Sequence, residues 1–171
     1  MFSTIVTGDK DALQLASPAT HVLLTIRGIS EMEIYDPDKV MDRFKIPPTA
    51  VPDLKGLMGD PSDNIPGVPG VGEKTASKLL QKYGNIDELL VRAEEIKGKL
   101  GESIRNNTEQ IRMSLSLATI VRDMDLDLDL KGIQIREWDY DTLVKIFREL
   151  EFYSLINRME SPQTKKIAVS S

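Results

Sequence analysis

Two pairs of aspartates are spaced in a way that would let them bind metal ions. Asp9 and Asp11 follow an apolar segment that ends at Thr7, and Asp60 and Asp63 lie three residues apart in a loop. Converging carboxylates supply the hard oxygen ligands that Mg²⁺ and Mn²⁺ prefer, and paired divalent ions catalyse phosphodiester hydrolysis. Aspartates at turns also commonly accept hydrogen bonds from nearby backbone amides. The spacing alone therefore leaves a metal site and a purely local role open.

A glycine-rich segment lies directly before a predicted helix. Gly67, Gly70 and Gly72 follow one another closely, so backbone amides can face an anion at the start of the helix with no Cβ in the way. The segment does not match the dinucleotide or P-loop signatures, because no apolar strand precedes it and no Gly-Lys-Ser/Thr follows at the required spacing. It is predicted to bind a phosphate outside those two nucleotide-binding classes.

Lysines line one side of the helix that follows the glycines. With about 100° between successive residues, the apolar side chains of the helix share one face and the lysines share the opposite face: Lys74, Lys78 and Lys82. A row of lysines alone is typical of any solvated surface. Next to a glycine hairpin with free amides, the row favours contact with a nucleic-acid backbone rather than with base edges.

Composition excludes several other classes of protein. The chain has 171 residues, of which 40% are hydrophobic and 29% charged, so it can form a globular core. It contains no cysteine and one histidine, which excludes disulfides, thiolate zinc sites and a cysteine nucleophile. No apolar run is long enough for a signal sequence or a membrane span, so we expect a cytoplasmic protein with no membrane partner. The net charge of −5 means that any nucleic-acid contact must use a local basic patch.

The elements that would position these residues change type along the chain. Residues 1–35 predict part of an α/β sheet, with a buried strand over residues 2–7 and a β-hairpin over residues 21–35. Asp36 and Pro37 begin a mainly helical body over residues 36–160, which contains the glycine hairpin and its helices at about residues 52–84. Residues 161–171 are polar and predict a linker or tail. The predicted fold class is a remnant of a parallel sheet with a β-hairpin, followed by a helical body.

Residues 59–76 resemble a helix-hairpin-helix segment of the kind that binds DNA backbone. Together with the acidic loop Thr7-Gly8-Asp9-Lys10-Asp11, this segment is similar to the 5′ nucleases, and most similar to the 5′-to-3′ exonuclease domain of bacterial DNA polymerase I. The two motifs occur in the same order and at the same spacing as in that family. The resemblance covers about residues 2–160 and corresponds to the C-terminal half of the nuclease domain, with its helix-three-turn-helix motif.

The resemblance implies a metal site, a DNA site and a third ion. It implies that Mg²⁺ or Mn²⁺ binds to Asp9, Asp11, Asp60 and Asp63. It implies that double-stranded or 5′-flap DNA binds to the hairpin glycines and the lysine row: Gly67, Gly70, Gly72, Lys74, Lys78 and Lys82. It also implies a K⁺ ion on the backbone carbonyls of Val68 and Val71.

The resemblance further implies a role in DNA replication and repair. The family's remaining metal ligands precede the segment that this chain matches, so we expect the 171 residues alone to bind DNA without efficient cleavage. The missing N-terminal half of the nuclease, or polymerase domains, would be partners. Two alternatives stay open: an active nuclease completed by another chain, and a non-catalytic DNA-binding scaffold.

Overall fold

The computed structural model of the chain describes residues 2–27, 31–129, 132–133 and 137–159. These residues belong to two compact units, Met1–Met124 and Asp125–Ser171. The sheet and the glycine hairpin both lie in the first unit. The predicted tail over residues 161–171 lies outside the described residues, as does the turn at residues 28–30 of the predicted β-hairpin.

Three described strands form a mixed sheet in the order β1, β2, β3. Strand β1 (Ser3–Thr7) pairs in parallel with β2 (Thr20–Arg27), and a short 3₁₀ helix (Lys10–Leu15) lies between them in the chain. Strand β3 (Glu31–Tyr35) pairs antiparallel with β2. The predicted combination of a parallel pair and a hairpin is confirmed.

The prediction that β1 is fully buried is wrong. Its residues alternate between half-buried and exposed, and Val6 keeps 64% of its surface accessible. Within the described residues β1 pairs with β2 alone, so one of its edges and the face that carries Val6 lack a neighbour. Its run of apolar and β-branched residues predicted the strand correctly but not how many sides of it are covered.

Helices follow the sheet to the end of the first unit. They are α1 (Pro37–Phe44), α2 (Val51–Met58), α3 (Glu73–Tyr83), α4 (Ile86–Val91), α5 (Gly98–Asn106) and α6 (Thr108–Ala118), with 3₁₀ turns at Pro48–Ala50 and Ala93–Glu95. Helix α1 starts as its sequence predicts, because the Asp36 carboxylate accepts a hydrogen bond from Lys39 N at 2.8 Å and Pro37 occupies the first turn. Helix α2 ends at Gly59.

Two groups of buried side chains form the core of this unit. One lies among α2 to α6 and includes Leu54, Leu57, Ile86 and Ile111, while the other packs the sheet against the first helices. Phe44, at the end of α1, packs against both groups. The loop after β1 and the loop after α2 are therefore positioned by adjoining parts of one packed structure.

The second unit contains two further described helices, α7 (Tyr140–Glu149) and α8 (Tyr153–Ile156). Asp139 caps α7, because its carboxylate accepts a hydrogen bond from Thr142 N at 3.1 Å. The Thr142 side-chain and backbone hydrogen bonds lower the pKa of Asp139. Across both units, no helix in the described ranges is long and apolar enough to span a membrane.

Candidate metal and nucleic-acid site

Three of the four predicted metal-binding aspartates come together. Asp11, Asp60 and Asp63 each offer a carboxylate oxygen, and these oxygens all lie within 4.8 Å of one another. Asp11 lies in the 3₁₀ helix after β1, whereas Asp60 and Asp63 lie in the loop after α2. Residues far apart in sequence thus place three negative charges in one small volume.

The loop after α2 is closed by its own backbone. Asp60 and Ile65 exchange two hydrogen bonds, each of 2.9 Å, and Asp63 N donates to Asp60 O at 3.3 Å. Asn64 takes a left-handed conformation with φ of 56° that lets the chain reverse. This tight turn puts Asp60 and Asp63 side by side.

Asp9 does not join this group. Its side chain caps the 3₁₀ helix by accepting a hydrogen bond from Asp11 N at 2.9 Å. That is the local role which turn aspartates commonly take. Asp9 still lines the same cavity as Asp60 and Asp63.

A buried lysine, which the sequence interpretation did not identify, neutralises part of the cluster. Lys55 Nζ forms ion pairs with Asp11 Oδ1 and with Asp60 Oδ2, the latter at 2.6 Å. Its side chain is 7% exposed. Burial acts to raise the pKa of Asp60, but hydrogen bonds from Lys55 and Ser62 outweigh it and lower that pKa to about 2. Asp60 is therefore ionised at neutral pH.

The first hairpin glycine has a packing role. A Cβ on Gly67 would lie 2.2 Å from Met58 O and 2.7 Å from Gly59 N, distances far inside van der Waals contact. The next residue continues this close approach, because Val68 N donates to Leu57 O at 2.8 Å. Gly67 thus lets the hairpin lie directly against the end of α2.

The other two hairpin glycines face open space. A Cβ on Gly70 or Gly72 would have no atom within 4 Å among the described residues, and Gly70 needs its positive φ of 82°. In the described structure the amides of Gly70, Gly72, Glu73 and Lys74 donate to no protein acceptor, and no side chain caps α3. These free amides at the start of an 11-residue helix could bind an anion.

The predicted lysine row is exposed on α3. Lys74, Lys78 and Lys82 all lie on the outer side of the helix, opposite the buried Ala76 and Leu80. Lys82 is already engaged, because its Nζ donates to Tyr83 Oη at 2.9 Å and lies 4.7 Å from the centre of that ring. Lys74 and Lys78 have no such partner among the described residues.

Side chains of helix α6 hold the hairpin by donating hydrogen bonds to its backbone carbonyl groups. Ser114 Oγ donates to Pro66 O at 2.7 Å, and Gln110 Nε2 donates to Gly67 O at 2.8 Å. At the other end of α6, buried Gln14 donates to Ala118 O and to Asp11 O, each at 3.0 Å. One helix therefore connects the hairpin with the 3₁₀ helix that carries Asp11.

The two residues predicted to bind K⁺ are valines, whose side chains have no ligand atoms, so only their carbonyl groups could serve. Val68 and Val71 are 3% and 5% exposed and belong to the core among the helices. Val68 O accepts a hydrogen bond from Val71 N at 3.0 Å. A carbonyl oxygen retains a second lone pair in this arrangement.

A cavity of about 700 Å³ adjoins the carboxylates and the start of α3. Its lining includes Lys55, Asp60, Asp63, Arg43 and Glu73. Arg43 and Glu73 form a two-bond ion pair, with N to O distances of 2.8 and 3.3 Å. This pair neutralises the one carboxylate in the first turn of α3, where an anion would bind.

Comparison with known proteins decides the family. The sequence profile described as 5′-3′ exonuclease, C-terminal SAM fold, matches residues 46–141, which is more than half of the chain. The chain belongs to this 5′-3′ exonuclease family. The matched region contains α2, the aspartate loop, the glycine hairpin and α3.

The relatives of this chain within the 5′-3′ exonuclease family include DNA polymerases I. The chain is 45% identical to DNA polymerase I of Bacillus caldotenax, over 95% of this chain and 19% of that protein. It is 41% identical to DNA polymerase I of Bacillus subtilis, over 91% of this chain and 18% of that protein. The chain thus spans about a fifth of the length of these relatives.

Two solved structures share the fold of this chain. T5 5′-exonuclease with bound zinc ions superposes with a TM-score of 0.61 at 20% identity, covering 68% of this chain and 42% of that one. The catalytic core of Rad2 in complex with a DNA substrate has a TM-score of 0.52 at 16% identity, covering 85% of this chain and 50% of that one. At these identities the likeness establishes the fold.

Proposed function

We propose that this chain is the part of a divalent-metal-dependent 5′-to-3′ exonuclease or flap endonuclease, of the DNA polymerase I type, that binds a metal ion and the DNA backbone. Such an enzyme acts in replication and repair in the cytoplasm. The observation that carries the proposal is the convergence of Asp11, Asp60 and Asp63 from two separate loops. Membership of the 5′-3′ exonuclease family supports it.

The carboxylate cluster fits Mg²⁺ or Mn²⁺. Its donors are hard oxygen atoms, as these ions prefer, and three of them lie within 4.8 Å of one another. Asp11, Asp60 and Asp63 would hold the ion, with Asp9 beside it in the same cavity. When bound, the ion would polarise a water molecule or a phosphodiester oxygen. The closed loop at Asp60 and Ile65 keeps the ligands in position.

The hairpin and α3 would bind the backbone of double-stranded or 5′-flap DNA. The free amides of Gly70, Gly72 and the first turn of α3 can donate to a phosphate, and Lys74 and Lys78 extend the positive surface along the helix. A K⁺ ion on the carbonyls of Val68 and Val71 would add a further positive charge beside this phosphate. Such contacts do not read bases, so binding would be independent of DNA sequence.

Cleavage by this chain alone is proposed to be inefficient. Within the described ranges no second group of three or more metal-ligating side chains is found beside the Asp11 cluster, whereas two-metal hydrolysis needs ligands for both ions. The remaining ligands would come from a partner segment, such as the N-terminal half of the nuclease, and polymerase domains would be further partners. Loss of one ion's contribution would slow cleavage roughly a thousandfold or more.

DNA binding is tested by fluorescence anisotropy with a labelled duplex at several salt concentrations. We expect a slope of log affinity against log salt of about −3 to −4, since each neutralised phosphate contributes about −0.9. Replacing Lys74 and Lys78 by Gln should flatten the slope by about 2, one unit for each phosphate contact. Lys39→Gln is the matched control, because Lys39 already pairs with Glu33. Binding that is indifferent to salt would contradict the proposal.

Cleavage is tested with a 5′-labelled flap substrate and either Mg²⁺ or Mn²⁺. We expect DNA binding with negligible release of the label. Robust release that disappears in an Asp60→Ala, Asp63→Ala double variant would instead identify an active nuclease that another copy of the chain completes. Absence of both binding and cleavage would contradict the proposal and the DNA-binding scaffold alike.

A further inference from the structure

Lys55 is the one lysine buried among the described residues, and it lies inside the carboxylate cluster. It projects from α2, only five residues before its partner Asp60. Its Nζ atom contacts one oxygen of Asp11 and one of Asp60. Two of the three clustered carboxylates thus already have a cation as partner.

A divalent ion held by the same carboxylates would lie close to this ammonium group. Mg²⁺ binds carboxylate oxygens at about 2.0–2.1 Å, and all three ligand oxygens lie within 4.8 Å of one another. The ion and Lys55 Nζ would therefore compete for oxygens of Asp11 and Asp60. Two positive groups this close repel each other.

The protein nevertheless needs a cation here when no metal is bound. Burying several carboxylates beside one another is unfavourable, because like charges repel and each loses hydration. The ion pairs of Lys55 offset this repulsion between Asp11 and Asp60. The lysine therefore has opposite effects on the metal-free and metal-bound states.

We propose that Lys55 is an internal counter-ion with two effects. In the metal-free protein it holds the segment that carries Asp11 against the loop that carries Asp60, and it lowers the affinity of the site for a divalent ion. Binding of the ion displaces the ammonium group from at least one of its two carboxylate oxygens. This inference rests on the metal site proposed above. It assigns to Lys55 the control of how tightly that site binds a divalent ion.

The proposal predicts changes of opposite sign when the charge is removed. Lys55→Met should unfold at lower denaturant concentration without metal, because the carboxylates lose their partner. The same variant should bind divalent ions more tightly, because the competing charge is gone. A lysine that only positioned its neighbours would, when replaced, weaken both properties. Lys55→Arg keeps the charge and should not gain affinity.

The test uses the full 171-residue chain and Mn²⁺, whose free-ion electron paramagnetic resonance signal falls as the ion binds. We expect Lys55→Met and Lys55→Gln to bind Mn²⁺ about tenfold more tightly than the parent, the effect of removing one charge near a dication at high effective dielectric constant. Lys39→Met removes an equal charge from an exposed pair with Glu33 and should change nothing. Asp60→Asn should weaken binding in every background.

Each outcome separates the inference from the metal site itself. Parent-like or weaker Mn²⁺ binding by folded Lys55→Met and Lys55→Gln would overturn the role of Lys55 and leave the site intact. Absence of Mn²⁺ binding by the parent and by every variant would remove the metal site and the inference with it. If both neutral variants are unfolded without metal, refolding on addition of Mn²⁺ supports the proposal, and failure to refold overturns it.

Discussion

Replacing Gly67 by Ala tests how closely the hairpin approaches the end of α2. The new Cβ would lie 2.2 Å from Met58 O and 2.7 Å from Gly59 N, so backbone atoms must move by about 1 Å to reach normal contact. That movement strains the hydrogen bond from Val68 N to Leu57 O, now 2.8 Å long. Overpacking and one weakened hydrogen bond together should lower the free energy of unfolding by about 3 kcal/mol.

Gly72→Ala is the matched control for this substitution. Its Cβ would have no described atom within 4 Å, and the residue has an ordinary φ of −100°. We expect it to lower the free energy of unfolding by less than about 1 kcal/mol, mainly because alanine is a poorer N-cap than glycine. DNA affinity should nevertheless fall, since the Cβ stands before the free amides of α3.

Denaturant unfolding followed by circular dichroism measures the first effect, and thermal melting checks it. A loss of about 3 kcal/mol corresponds to a fall of roughly 6–12 °C in Tm for a chain of this size. Fluorescence anisotropy with a duplex measures the second effect. If Gly67→Ala unfolded like the parent, or if Gly72→Ala bound DNA like the parent, the division between a packing glycine and a phosphate-facing glycine would be wrong.

Three further substitutions test other contacts of the first unit. Asp53→Ala should lower the free energy of unfolding, measured in urea, by about 1 kcal/mol, because Asp53 accepts a 2.8 Å hydrogen bond from Ile86 N. Asp53→Asn keeps an acceptor and should lower it less. Burial raises the pKa of Asp53 above its usual 3.8. Protonation of Asp53 therefore stabilises the fold below pH 3.8, and this contribution disappears as pH rises through the folded pKa. Comparing the free energy of unfolding of the parent and of Asp53→Asn across acid pH tests this dependence. Gln14→Leu should lower the free energy of unfolding by about 2–4 kcal/mol, since three backbone groups, one buried and two partly buried, lose their partner; unchanged urea unfolding would contradict it. Arg43→Gln should leave stability nearly unchanged, because its pair with Glu73 is half exposed, but should weaken duplex binding in low salt, and adding Glu73→Gln should restore part of it.

Local patterns in the sequence predicted the fold of the first unit well. The Asp36-Pro37 start of α1 and the hairpin of β2 and β3 each depend on a few neighbouring residues. The exposure of β1 could not be predicted in this way. It depends on which elements cover the strand, and a run of apolar residues does not specify them.

The candidate site was predicted in part. The spacing of Asp60 and Asp63 predicted their proximity, and the resemblance to the 5′ nucleases predicted that Asp11 would lie with them, as it does. Asp9 was harder, because the same residue type in the same loop suits both a ligand and a cap, and the backbone geometry selects the cap. Gly67 was predicted to face a phosphate, but its contact with Met58 O is a long-range packing feature with no local signature.

Two basic residues at the site were missed. Lys55 lies directly before the aspartate loop in a helix whose other residues, except Asp53, are uncharged, and a charged residue in that position should have indicated a buried ion pair. Arg43 lies at the end of an amphipathic helix and reaches Glu73, thirty positions further along the chain. Only the packed structure brings that pair together.

The most direct test of the central claim is to locate a Mn²⁺ ion by anomalous diffraction from a crystal of the chain. We predict an anomalous peak at bonding distance from oxygens of Asp11, Asp60 and Asp63, and its loss in the Asp60→Asn, Asp63→Asn double variant. A fully occupied Mn²⁺ elsewhere on the chain, or no peak at these carboxylates in saturating Mn²⁺, would contradict the account.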